Sequence, residues 1–228
     1  REFSKYGVYE KGANAGLLWK DGKAPIGVRW VVINEGDRTH PEYRSRVVAK
    51  EIKPDKREDR FAATPPLEAL RVILSRAAND RRMKVMTNDV SRAYFNAHTD
   101  PNDPVYVQLP GEMGLGPDKC ALLKRHMYGT RRAAEGWQDE CSGALVGMGF
   151  IQGKASACVF QHPGRRIAVS VHGDDFTATG PKRELDWFEA QLRARYELTV
   201  GGRLGPGKED TKEASVLNRI IRWTDAGV

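Results

Sequence analysis

The spacing of apolar positions changes period along this chain, and the changes divide it into strands and helices. Period-two runs at Gly27–Asn34 (GVRWVVIN) and Tyr43–Ile52 (YRSRVVAKEI) predict two strands joined by the polar turn Glu35–Glu42. A shorter run, Val105–Leu109, closes on Pro110-Gly111 and predicts another, and Phe150–His162 reads as a further strand region. Leu67, Leu70, Leu74 and Ala77 recur at helical spacing behind Thr64-Pro65-Pro66, which predicts a helix to about Asp80. Ala134, Trp137, Cys141 and Leu145 predict a second helix, opened near Thr130 and ended by Gly147-Met148-Gly149. The third, Pro181–Tyr196, carries Leu185, Phe188 and Leu192 on one face, acids early and Arg193 and Arg195 late, as the helix dipole favours. Residues 1–26 read as a loosely ordered lead-in, and Lys53–Arg60 as a charged linker.

Two short stretches interrupt this pattern with acids in apolar surroundings. Ile167–Thr179 (IAVSVHGDDFTAT) alternates into Gly-Asp-Asp and out again, the pattern of a β-hairpin presenting carboxylates at its turn. Lys84–Phe95 (KVMTNDVSRAYF) sets Asp89 among Val85, Met86 and Val90 at the end of a short buried strand. Like charges at a tight turn are costly without a cation, and hard divalent ions take carboxylate oxygens. A solvated Asp-Asp turn is the plainer reading of either stretch alone. Together they suggest two strands that bring Asp89 and Asp174 side by side, as two-metal phosphoryl chemistry needs.

Charge sharpens the choice of partner. The 228 residues carry a formal net charge of +7, and such a surface favours a polyanion through counterion release. Arg44, Arg46 and Lys50 share one face of the second strand, which suits either a phosphate-facing surface or a charged, self-protecting sheet edge. Arg131 and Arg132 open the second helix, where the dipole favours acids, so an external anion or a solvated pair of arginines is expected there. Cys120, Cys141 and Cys158 form no even set and no CxxC, which predicts reduced thiols in an intracellular protein; Cys158 and His162 lack a second ligand pair for zinc. No run of 18 or more apolar residues exists, so no membrane partner is expected. Gly202–Lys208 (GRLGPGK) has the spacing of a phosphate-cradling loop, but Glu209 stands where a hydroxyl is required and Pro206 removes an amide donor. A surface turn accounts for it better.

The order of the motifs resembles the reverse transcriptase of copia-type LTR retrotransposons from about Gly27 to about Trp223. RVVAK (46–50) is similar to the family's RLVAK, NDVSRAYFN (88–96) to DVKTAFLNG, and PVYVQLPG (104–111) to EVYMxQPxG. MYGTRRAAEGW (127–137) is similar to LYGLKQAPRQW, ACVF (157–160) to CLF, and VHGDD (171–175) to YVDD. Three positions depart from the pattern: His172 for tyrosine, Arg132 for glutamine and Ala134 for proline. These bear on substrate affinity and fidelity, whereas the three expected acids are present.

The resemblance implies an α+β right-hand polymerase with an antiparallel palm sheet packed on helices: residues 27–85 mainly fingers, 86–200 mainly palm with interleaved fingers elements, and 201–228 the start of a connection to a thumb. It implies that Asp89, Asp174 and Asp175 are catalytic and hold magnesium, or manganese. Arg46, Lys50, Tyr94, Tyr128, Gly129 and Arg131 would bind the incoming nucleotide, with Tyr94 excluding a 2′-hydroxyl, and His172 and Gly173 would meet the primer terminus. Partners would be an RNA or DNA template with primer, deoxynucleotides, and the integrase and RNase H domains of a polyprotein in a cytoplasmic particle or the nucleus. The chain, opening at Arg1 without methionine, reads as a segment of such a polyprotein. Two other functions compete: a remnant that binds nucleic acid without catalysis, and a metal-dependent nuclease.

Overall fold

The computed structural model describes residues 2–14, 24–51, 64–113, 116 and 118–225. These form a mixed α+β protein of three sheets and four helices, divided into two compact units: residues 1–61 with 94–137, and residues 62–93 with 138–228.

The first unit is built on a five-stranded sheet. Its strands are β1 (Tyr9–Asn14), β2 (Ile26–Asn34), β3 (Tyr43–Ala49), β5 (Tyr106–Gln108) and β6 (Lys119–Leu123), in the order β1-β6-β5-β2-β3. The region read as a loose lead-in thus supplies a strand. Helix α1 (Glu2–Lys5) precedes it, Tyr9 pairs with Leu123, and Val8 is wholly buried. A register shift between Lys11 and Ala13 breaks the alternation that would have marked the strand in sequence. Val8, Val47, Ala49, Phe95, Val107, Leu109, Ala121, Leu123 and Met127 form this unit's core. The expected linker Lys53–Arg60 lies outside the described residues.

The second unit holds a six-stranded sheet, ordered β11-β4-β10-β9-β8-β7. Its strands are β4 (Met83–Val90), β7 (Ile151–Gln152), β8 (Val159–His162), β9 (Ile167–His172), β10 (Asp175–Pro181) and β11 (Leu198–Leu204). Helix α2 (Leu67–Ala78) buries Leu70, Ile73 and Ala77, and α4 (Lys182–Arg195) buries Leu185, Phe188 and Leu192. Burying one such leucine or phenylalanine contributes about 1.5–3 kcal/mol, which fixes which face of each helix turns inward. Helix α3 (Ala133–Gly147), assigned to the first unit as far as Trp137 and to the second from Gln138, buries Ala133, Trp137, Cys141, Ala144 and Leu145, one position away from the expected face at its start. Residues 201–225, where the start of a connection is expected, finish β11 and fold back as the hairpin β12 (Glu213–Val216) and β13 (Arg219–Arg222). Ala214, Ile221 and Trp223 pack there on Ala77, Met83, Val85 and Leu204.

All three cysteines are buried and in no disulfide among the described residues, and burial pushes the Cys141 thiol up to about 12. No helix among the described residues is long and apolar enough to cross a membrane.

Candidate active site

The Gly-Asp-Asp sequence forms the turn of the hairpin its alternation predicts. Gly173 takes a φ of +61°, the left-handed position that a two-residue turn requires at its first central residue. Asp174 completes the turn and Asp175 opens β10. The backbone amide of Val90 donates to the Asp174 carbonyl at 2.9 Å, which ties the end of β4 to this turn.

Strand register then decides which side chains meet. Asp175 lies opposite Asp89 on β4 and opposite His172 on β9, while Asp89 lies opposite Thr199 on β11. Directly opposed residues project from the same face of a sheet, so His172, Asp175, Asp89 and Thr199 make one row across four strands. The residue facing Asp89 is therefore Asp175, and Asp174 approaches from the turn. The next row is Ser170, Thr177 and Thr87, and below it lie Ala168, Thr179 and Val85. This face grades from charged at the turn to apolar at the far end of the strands, so the carboxylates sit where the sheet opens to solvent.

Asp89 and Asp175 share an open cleft of about 170 Å³. Thr199 and the hairpin residues Ser215, Val216 and Leu217 form its opposite wall. Leu217 and Asn218 hold φ of 50° and 58° in the two-residue turn joining β12 to β13, a conformation that is costly for leucine. Thr199 and this hairpin had no signal in the sequence: their place depends on pairing across the sheet and on a chain reversal, not on residue type.

Burial raises the Asp175 carboxyl above the usual range, the negative charges of Asp174 and Asp89 add to the rise, and His172 opposes it. Asp175 thus feels both neighbouring acids, and His172 is the one group among the causes that opposes them. His172 is half-buried and its Nδ1 is enclosed without a hydrogen-bond partner among the described residues. An all-oxygen donor set under mutual repulsion is what a hard divalent ion suits. Among the described residues, however, no three His, Cys, Asp or Glu side chains are already drawn into a ligand cluster.

The expected nucleotide-binding residues fall in the first unit. The Tyr94 and Tyr128 rings stand 4.6 Å apart, and the Arg46 guanidinium lies 5.8 Å from the Tyr128 ring centroid. Arg46 and Lys50 are exposed and make no ion pair among the described residues, whereas Arg44 pairs with Glu35 at 3.1 Å. Arg29, opposite Val48, adds a cation to this face that the sequence reading missed. β3 is also the sheet's edge, so its charges fit the protective reading as well. At Gly129 a side chain would meet the Ala49 carbonyl oxygen at 2.1 Å, so this glycine is required by close packing on β3.

The arginines ahead of α3, where an external anion or a solvated pair is expected, stand beside anions of the chain itself. The Arg131 amide donates to Glu51 at 2.7 Å, and Arg132 pairs with Asp103 at 3.2 Å.

The family model for reverse transcriptase (RNA-dependent DNA polymerase) matches residues 18–206, a span that contains the three acids and the expected nucleotide and primer residues but not the hairpin wall of the cleft. With most of its length inside that match, and its motifs in the family's order, the chain belongs to the copia-type reverse transcriptases.

Proposed function

We propose that the chain is an RNA-directed DNA polymerase that adds deoxynucleotides to a primer 3′-hydroxyl, with fingers in the first unit and palm in the second. The row across β9, β10, β4 and β11 carries this reading, because its acids are gathered at a solvent-facing sheet end. Asp89, Asp174 and Asp175 would hold a divalent cation. Bound there, magnesium or manganese would activate the primer hydroxyl and neutralise charge on the transferred phosphate.

The remaining roles belong to the chain itself. Arg46 and Lys50, exposed and without ion-pair partners among the described residues, would bind the triphosphate. Tyr94, braced by Tyr128, would set its ring against the sugar so that a 2′-hydroxyl is excluded. Gly129 and Arg131 would continue the nucleotide-facing segment behind that pair. His172 and Gly173 would meet the primer terminus beside the carboxylates. The other domains of a retrotransposon polyprotein would then be its partners.

Nucleic-acid binding without catalysis is the second reading, favoured by one observation: no three-residue ligand cluster is preformed among the described residues. Primer extension on an RNA template separates the two. Incorporation of deoxynucleotides that Asp174→Asn abolishes supports the polymerase; primer-template binding with no incorporation supports the other reading.

A further inference from the structure

The phosphate-loop look-alike has an internal explanation that leads to a second site. The Gly207 amide donates to Asp210 Oδ2 at 2.8 Å. A side chain on Gly205 or Gly207 would come within 2.5 or 2.7 Å of the same oxygen. The glycines are there for a carboxylate of the chain, which takes the place a phosphate occupies in a true cradle. Lys84 closes on Asp210 at 2.5 Å, and both side chains are largely buried. Lys212 Nζ then donates to the Gly205 and Gly207 carbonyls, each at 2.7 Å. An ammonium has three donors, so one remains to point elsewhere.

Lys212 lines a cleft of about 650 Å³ together with Ala78, Arg81, Pro206, Trp223, Thr224 and Asp225. The Trp223 amide donates to the Lys212 carbonyl at 2.8 Å, which sets the two residues side by side on the cleft they both line. Arg81 is exposed and makes no ion pair among the described residues. Arg81 and Lys212 outweigh the single acid, Asp225, by one positive charge. The volume suits a small organic anion. An anchored cation, an accessible guanidinium and an indole together suit a phosphate joined to a planar base. The cleft lies beyond the Lys84 end of β4, five residues and so about 17 Å from Asp89 at 3.3 Å per residue. It is therefore separate from the carboxylate cleft.

We propose that this cleft binds one nucleotide unit, its phosphate on Arg81 and Lys212 and its base on Trp223. The test is photocross-linking of a short oligothymidylate carrying 5-iodouracil, with cross-linked peptides mapped and binding followed by fluorescence anisotropy. Cross-links should fall on the peptide containing Trp223. Arg81→Glu should remove them and lower the salt dependence of binding by about one charge, and Trp223→Ala should weaken binding roughly tenfold. Because Trp223 also packs on the core, Trp223→Phe serves as the folded control and should retain binding. Displacement by thymidine monophosphate identifies a free-nucleotide site; displacement only by longer strands identifies a strand site, and either supports the assignment. Cross-links confined to other peptides, with Arg81→Glu binding unchanged, would overturn it, as would no binding of either probe. Asp89→Asn should cross-link normally, so loss of polymerase activity and loss of this site are separable.

Discussion

The two ends of strand β4 solve the problem of charge in opposite ways. At one end Asp89 faces Asp175, with Asp174 in the adjoining turn, and burial together with the two other acids raises the Asp175 carboxyl. At the other, Lys84 is paired with Asp210, whose side chain is only 3% exposed, and two glycines make room for the pair. For Asp210, burial acts upward but is outweighed by hydrogen bonds from Lys84 and Gly207 and by the charges of Lys84 and Lys212, which hold the carboxyl below its usual range. A strand that satisfies charge at one end, yet leaves like charges together at the other, fits the proposed division between scaffold and chemistry. Unrelieved repulsion in a folded protein is retained where a bound cation or substrate would relieve it.

That contrast can be broken from either side. The largest effect is expected at the acid end: Asp89→Asn should lower nucleotide addition by roughly three orders of magnitude while thermal unfolding shows no loss of stability. A variant that kept most of its activity would remove Asp89 from the chemistry. At the paired end the reverse is expected, because a buried lysine left without its counter-charge costs about 3–5 kcal/mol. Asp210→Asn should show that loss in urea unfolding, and Lys84→Met combined with Asp210→Leu should recover most of it. Equal stability of the single variant and the unmutated protein would mean that the pair is not holding the loop.

The pH dependence of stability should carry opposite signs at the two ends. Asp210 has a lowered folded pKa, so its contribution is present above the unfolded value and is lost as pH falls through the folded one. Asp175 has a raised folded pKa, so its contribution is present below the unfolded value and is lost as pH rises through the folded one. At neutral pH Asp175→Asn should therefore unfold at a slightly higher temperature than the unmutated protein, and added magnesium should narrow the difference. A lower unfolding temperature for Asp175→Asn would contradict the repulsion argument.

A smaller effect is expected at the tyrosine pair. Tyr94→Ala should let ribonucleotides compete with deoxynucleotides in single-nucleotide incorporation and should cost about 0.5–1.5 kcal/mol from the lost ring contact with Tyr128. Unchanged sugar selectivity would remove Tyr94 from substrate choice.

What could be read in the sequence was local. The hairpin around Gly173 was legible because alternation and turn chemistry agree over a few residues, and α4 because its dipole-matched ends frame an apolar face. What could not be read depended on distant partners. Register is one such property: a slip of one residue exchanges Asp174 for Asp175 opposite Asp89, and nothing within the hairpin itself fixes it. Strands β1 and β6 are short and pair with each other across more than a hundred residues, with a bulge in β1. Arg131 and Arg132 suit an external anion or a solvated pair of arginines in sequence, whereas Glu51 accepts from the Arg131 amide and Asp103 pairs with Arg132, both distant along the chain. Gly205 and Gly207 likewise answer to Asp210, a residue outside the motif they imitate.

The most direct test of the central claim, that the acid end of β4 is where chemistry occurs, is primer extension on an RNA template with deoxynucleotides and magnesium. The unmutated protein and its Asp89→Asn variant would be assayed side by side at matched primer-template occupancy. Extension by the first and none by the second is the predicted result. Equal extension by both, or none by the unmutated protein despite measured binding of primer-template, would contradict it.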